Sequence, residues 1–277
     1  MKKWILGVLA LSITAPSFAQ ELPQPSPTST VQQRIGLTDI TVNYSRPSAN
    51  GRNIFGDLVP YDQLWRTGAN SSTKISFSNS VIIDGKTVDA GEYALFTIPN
   101  KESWTVILSK QTSLWGVSGY DKNEDVLRIG IVPEKSDMDE TFSIGFKNLS
   151  KDGGVIAIEW SNVAISFPIE VDSEGQSAKN VSEALSTANR AYRNAAEFYS
   201  GTGDHNKAMA TIDLALELDG TSWYTYWVKA EIMQAAGKTK EAKKQGAVAL
   251  SKGQAYYDSI GQPFNYRVGI EKDMKKW

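Results

Sequence analysis

Near residue 175 the spacing of apolar residues changes from two to between three and four, and no single element type satisfies both periods. Upstream, from Val31 to about Asp172, apolar and polar residues alternate. Ile40, Val42 and Tyr44 form one such run, Ile75 and Phe77 another, and Val81 and Ile83 a third. Asp84-Gly85 follows the third run directly, and this pair predicts a tight hairpin because both of its residues tolerate positive φ. Further runs cover Tyr93–Ile98, Trp104–Leu108, Val126–Val132, Phe142–Phe146, Val155–Trp160 and Val163–Val171. Pro99-Asn100, Pro133-Glu134 and Asp152-Gly153-Gly154 read as the turns between them. About nine short strands without intervening helices predict an antiparallel β-sandwich over 31–172, with jelly-roll and immunoglobulin-like orders both open.

Downstream, over 177–277, Leu185, Ala188, Tyr192, Ala195 and Tyr199 fall at helical spacing. Residues then recur at an offset of 34: Tyr192 with Tyr226, Ala196 with Ala230, Gly203 with Gly237, Ala208 with Ala242, Ala215 with Ala249, and Leu216 with Leu250. That is the period of tetratricopeptide repeats, so a C-terminal α-helical tetratricopeptide-like domain is expected. Small residues let two antiparallel helices approach, and a glycine turns the chain between them. Asp204 and Thr239 are the expected helix N-caps. Two repeats fall short of the roughly three that stand alone, so a preceding helix or the tail 256–277 must cap the pair or dock on the sandwich. Pro263 followed by Phe264–Trp277 reads as a last basic, amphipathic helix.

The start of the chain reads as an export signal over 1–19. Lys2 and Lys3 precede an apolar stretch from Trp4 to Ala15, and Ser17-Phe18-Ala19 forms a small-x-small cleavage site. The apolar stretch is shorter than the ~20 residues that span a bilayer, and no later run is longer, so no anchor is expected after cleavage. A periplasmic or secreted protein follows, with a Pro- and Ser-rich flexible leader over 20–30. Residues 20–172 carry 13 basic and 19 acidic side chains, and 173–277 carry 14 and 12. Neither balance suits a phosphate backbone, so nucleic acid is not an expected partner. The chain has no cysteine and one histidine, His205, which removes disulfides, thiol chemistry and multi-histidine metal sites. His205 opens a repeat helix beside Asp204, a place for an exposed, inert side chain. No cofactor is called for.

One segment departs from the alternating pattern. Tyr44–Asn70, YSRPSANGRNIFGDLVPYDQLWRTGAN, is too rich in turn residues for a strand and too apolar for a solvated loop. Ile54, Phe55, Leu58, Val59, Leu64 and Trp65 require burial, so the segment packs on the sandwich as a long loop. Together with DGKTVDAGEYALFTIP (Asp84–Pro99), WTVILS (Trp104–Ser109) and Trp115-Gly116 ahead of Asp125–Arg128, it resembles an uncharacterised family of exported bacterial proteins, domain-of-unknown-function family 2911, over roughly 25–170. The resemblance implies the domain division and an export signal, and it carries no activity or catalytic residues.

Two uses of the segment are open. Arg46, Arg52 and Arg66 can line a recess with Tyr44, Tyr61, Trp65 and Asn70, where guanidinium forks suit an anion and aromatic faces a sugar ring. Alternatively the arginines satisfy loop carbonyls and stack on aromatic rings, and the segment plugs the sandwich. Asp57 with Asp62 would serve a hydrolase if set ~5–9.5 Å apart in a cleft. The Asp121–Asp125 cluster and Asp137, Asp139 and Glu140 read as solvated turns. Trp223, Tyr224 and Trp227 crowd one repeat helix, as core or as a patch that grips a protein or peptide. The residues favour an exported, non-catalytic binding or assembly protein. The alternative is a glycan- or anion-binding domain, or a carboxylate-based hydrolase, acting through Tyr44–Asn70.

Overall fold

A computed structural model describes residues 22–277; the expected export signal lies outside them. The chain divides into two compact units between Asp172 and Ser173. The first holds two antiparallel sheets. One has six strands in the order β1 (Thr28–Ile35), β2 (Thr38–Ser45), β3 (Thr73–Phe77), β6 (Gly91–Ile98), β7 (Trp104–Ser109) and β8 (Asp125–Ile131). The other has four, in the order β5 (Lys86–Val88), β4 (Val81–Ile83), β10 (Gly153–Glu170) and β9 (Glu134–Lys147). Alternation along β2 and β3 places Ile40, Val42, Ile75 and Phe77 in the core between the sheets. Asp84 and Gly85 take φ +52° and +68° and close the predicted hairpin.

Three expectations about the strands need correction. The leader is not free to residue 30, because Thr28, Ser29 and Thr30 already pair with Ser45, Tyr44 and Asn43. Main-chain pairing along β2 orders a stretch that has little apolar surface of its own. The runs Val155–Trp160 and Val163–Val171 are one strand, β10, bent at Ser161. Its φ of +55° and the register shifts on either side mark a β-bulge, which looks like a break in the alternation. Asp137, Asp139 and Glu140 belong to strand β9 rather than to a turn. β9 is the edge of its sheet, where charges discourage pairing with another chain.

Strands β6 and β7 are buried on both faces. Beneath them lies the main core. Above them Ala94, Phe96 and Ile107 form a second, smaller cluster with Leu64, Leu114 and Tyr120. The cover on that side comes largely from the β7–β8 connection, residues 110–124. The outer face of β1, β2 and β3 has no such cover, and Thr41, Asn43, Lys74 and Ser76 are part-exposed or exposed there.

The second unit contains α1 (Ser173–Gly201), α2 (His205–Leu218), α3 (Trp223–Ala235), α4 (Thr239–Ser259) and α5 (Arg267–Lys276). None of these helices is long and apolar enough to cross a membrane. Helices α1 and α2 pack as a pair, as do α3 and α4. Ala196, Ala208 and Ala215 are fully buried, and so are Ala230, Ala242 and Ala249, 34 residues further on. Gly203 and Gly237 take φ +86° and +75° at equivalent turns, as the spacing requires. Asp204 caps α2 by accepting a hydrogen bond from the Lys207 N–H at 3.0 Å. Thr239 is not a cap; α4 begins from Lys238 without a side-chain cap. Buried Asn189 ties the first pair to the second: its Nδ2 donates to the Ala215 carbonyl at 2.7 Å, and its Oδ1 accepts from Thr225 Oγ1 at 3.0 Å.

Candidate binding groove

The residues of Tyr44–Asn70 singled out from the sequence do not converge on one recess. Arg46 Nε donates to the Phe142 carbonyl at 3.0 Å. Arg52 donates from Nε to the Ala49 carbonyl at 2.9 Å and from Nη2 to the Ser48 carbonyl at 2.6 Å. The same stretch pairs with β9 through Ala49 N–H to Glu140 O and Phe142 N–H to Pro47 O, so these two arginines brace a corner between the sheets. Trp65 is core: it stacks on Trp160 at 6.0 Å and meets Phe55, Trp104 and Phe142 edge-on. Tyr44 is core as well, with its hydroxyl donating to the Ile144 carbonyl. Ile54 and Val59 are buried as expected, whereas Leu58 is exposed.

Tyr61 lines a recess of about 230 Å³ with Phe55 and Trp104, and Lys101 Nζ lies 5.7 Å from its ring centre. Arg66 lines a different recess of about 200 Å³ beside Leu58 and Val117. The guanidiniums are therefore spent on carbonyls or placed apart, because main-chain acceptors in a turn-rich segment lie nearer than any shared cavity. Asp62 is occupied in a surface contact, its Oδ1 accepting from Asn100 Nδ2 at 2.7 Å.

A larger recess, of about 650 Å³, lies at the end of the six-stranded sheet where β1 begins, β2 ends and β3 begins. Among the described residues its lining carries eight hydroxyl side chains, the amides of Gln24, Asn43 and Asn70, Lys74 and Trp115, with no carboxylate and no imidazole. Of the residues named from the sequence it includes Tyr44 and Asn70. Trp115, Asn43, Ser72 and Lys74 were not singled out there, since each by itself is an ordinary solvent-face residue. The available hint was Trp115-Gly116, a large aromatic and a glycine in a connection between strands.

Trp115 is 69% exposed yet held by the backbone on both sides. It forms a bridge to Ser71, and the Ser72 N–H donates to the Leu114 carbonyl at 3.1 Å. Gly116 takes φ +74°, a conformation open to glycine, and a Cβ there would stand 2.9 Å from Arg66 Nη1. At the far end of the same connection, Tyr120 donates to Asp125 Oδ2 at 2.6 Å, and Arg128 Nη1 donates to both Asp125 Oδ2 at 2.7 Å and the Tyr120 oxygen at 2.9 Å. The Asp125 side chain is only 5% exposed, so it is not part of a solvated turn as expected. Burial, reinforced by Asp125, pushes the Tyr120 phenol up to about 12.

The backbone beside the groove is strained. Thr67, fully buried and β-branched, holds φ +54°, and Asn70 holds φ +60°. Bonds on several sides hold Thr67 in this state: its hydroxyl meets Thr97 Oγ1 at 3.0 Å, and its carbonyl accepts from Thr73 Oγ1 at 2.6 Å.

The three aromatics named in the helical unit are mostly internal. Trp227 is buried, stacked on Trp277 at 5.2 Å with rings 9° apart. Trp223 packs on Phe264 at 5.0 Å and on Tyr266 at 5.3 Å. Only Tyr224 is exposed, with the Arg193 guanidinium 4.7 Å from its ring centre. The tail beyond α4 thus covers the aromatic face of α3, which gives the expected cap to the pair.

No curated protein and no solved structure is significantly similar to the chain. A family model does match residues 26–169, just over half of its length, and on that basis the chain belongs to the family described as protein of unknown function, DUF2911.

Proposed function

We propose that this member of the DUF2911 family is an exported, non-catalytic binding protein whose β unit holds a polyhydroxylated, sugar-like ligand in the groove beside Trp115. The observation that carries the reading is the chemistry of that lining. An exposed indole offers a flat apolar face to a ring, and hydroxyls and amides supply donors and acceptors without charge. Glycoside hydrolysis needs two carboxylates across a cleft, and the described residues of this lining include none. Capture of an anion is disfavoured because Arg46 and Arg52 already donate to carbonyls.

The helical unit is read as a tetratricopeptide-like pair that contacts a protein partner. Support comes from the six buried alanines and the two glycine turns at an offset of 34. Export rests on the signal-like residues 1–19, and the mature chain should begin at Gln20.

Affinity electrophoresis of the mature chain in gels containing soluble polysaccharides tests the groove. The wild-type protein should be retarded in at least one gel, and Trp115→Ala should migrate freely in that gel while melting within a few degrees of wild type. Equal migration of the two proteins in every gel would defeat the proposal.

A further inference from the structure

We propose that the groove selects an uncharged oligosaccharide stretch about two rings long, with Asn43, Asn70 and Ser72 as its hydrogen-bonding residues; this rests on the reading of the groove as a sugar site. Charge favours a neutral ligand. Among the described residues Lys74 is the one charged side chain in the lining, and its Nζ is paired with Glu92 Oε1 at 3.1 Å. A uronate or sulfated ring would find no unpaired cation among the described lining residues and would meet Glu92 beside the lysine. Arg66 sits against Gly116 and opens on a different recess, and Arg46, which follows the lining residue Ser45, donates from Nε to the Phe142 carbonyl.

Polar groups are also left over once internal bonds are counted. Asn43 Oδ1 accepts from Thr30 Oγ1 at 2.6 Å, which leaves its amide N–H groups without a partner among the described residues. Asn70 is the reverse: its Nδ2 donates to Ser26 O and Ser45 Oγ, each at 3.3 Å, which leaves its carbonyl oxygen open. One amide therefore offers donors and the other an acceptor. A sugar hydroxyl both donates and accepts, so it can satisfy either.

Ser72 supplies the third observation. It lines the groove, is 4% exposed, and its Oγ has no hydrogen-bond partner among the described residues. A buried hydroxyl without a partner is unfavourable in the free protein, so it marks a place where a ligand group completes the bonding. The bulk of the recess, about 650 Å³, lies within the range of small-molecule sites and suits about two rings, one of them on the Trp115 face.

Calorimetric titration of the mature chain with neutral oligosaccharides of one to six rings, and with uronate oligosaccharides of matched linkage, tests this. Affinity should rise about tenfold or more from one ring to two or three and then level off, with uronates at least about tenfold weaker. Ser72→Ala and Asn43→Ala should each weaken neutral binding about fivefold to tenfold, and Ser72→Ala should melt no lower than wild type. Uronates binding as tightly as neutral chains would overturn the assignment of class while leaving the groove a sugar site. Unchanged affinity in both Ser72→Ala and Asn43→Ala would overturn the assignment of residues. If no sugar binds in solution and Trp115→Ala migrates as wild type in every polysaccharide gel, the groove reading itself fails, and this inference with it.

Discussion

Replacing Gly253 with alanine should destabilise the helical unit, although alanine is the better helix former. Gly253 continues a seam of buried small residues along α4, after Ala242, Gly246 and Ala249. A methyl group at Gly253 would stand 2.5 Å from Phe264 Cε1 and closer still to Cζ. Phe264 cannot simply move aside, since it is buried with its ring 5.0 Å from Trp223 and 5.1 Å from Tyr257. The alanine gains up to ~1 kcal/mol of helix propensity. Against that stand ~1–3 kcal/mol of overpacking strain and ~1 kcal/mol for each aromatic contact disturbed, so the net loss is about 2–3 kcal/mol.

For a unit of this size that loss lowers the melting point by ~10–15 °C. Two other glycines calibrate the argument. Gly269 in α5 has nothing within 4 Å of its added methyl, so Gly269→Ala should gain ~0.5–1 kcal/mol. Gly246 faces the flexible thioether of Met274 at 2.7 Å, so Gly246→Ala should fall between the two. Urea unfolding of the full chain, followed by helical circular dichroism, measures all three. A Gly253→Ala protein as stable as wild type would refute the close seating of Phe264 on α4.

Three further outcomes follow from the bonding described. Arg52→Lys removes a fork that spans two carbonyls at an exposed corner; it should lower stability by about 1 kcal/mol in denaturant titration and leave ligand affinity unchanged. Asn189→Ala removes two buried hydrogen bonds, although the Ala215 carbonyl keeps the Asp219 N–H and the Thr225 hydroxyl keeps Ser222 Oγ, and should lower helical-unit stability by about 1–2 kcal/mol in the same assay. The phenol of Tyr120 is held at about 12 when folded against about 10 unfolded, so its share of stability is complete below pH 10 and is lost as pH rises towards 12. Comparing the pH dependence of unfolding for wild type and Tyr120→Phe should show a shallower decline in the variant over that interval.

Local rules account for most of what the sequence disclosed. Alternation placed Ile40, Val42, Ile75 and Phe77 inward because a strand repeats every two residues, and the offset of 34 located all six buried alanines because close helix packing admits little else. The errors arose where tertiary partners overrode local chemistry. Ser161 interrupts the alternation, yet a bulge absorbs it without ending β10. Asp125 looks solvated beside Asp121 and Glu124, but Tyr120 and Arg128 bury it. Arg46 and Arg52 resemble an anion site until the nearby carbonyls are counted. The groove was not legible because its parts, Asn43, Ser72 and Trp115, come from three separated stretches and each suits an ordinary solvent face.

The small cluster of Ala94, Phe96 and Ile107 beneath the 110–124 connection has a consequence for how a ligand would be received. It fastens the span that carries Trp115 to strands enclosed on both sides, where amide hydrogens exchange slowest. The backbone that carries the indole is thus already in place before any encounter, and little backbone entropy is left to lose there on association. Loosening that cluster, for example by Phe96→Ala, would therefore slow capture and weaken affinity from a residue that never touches the ligand.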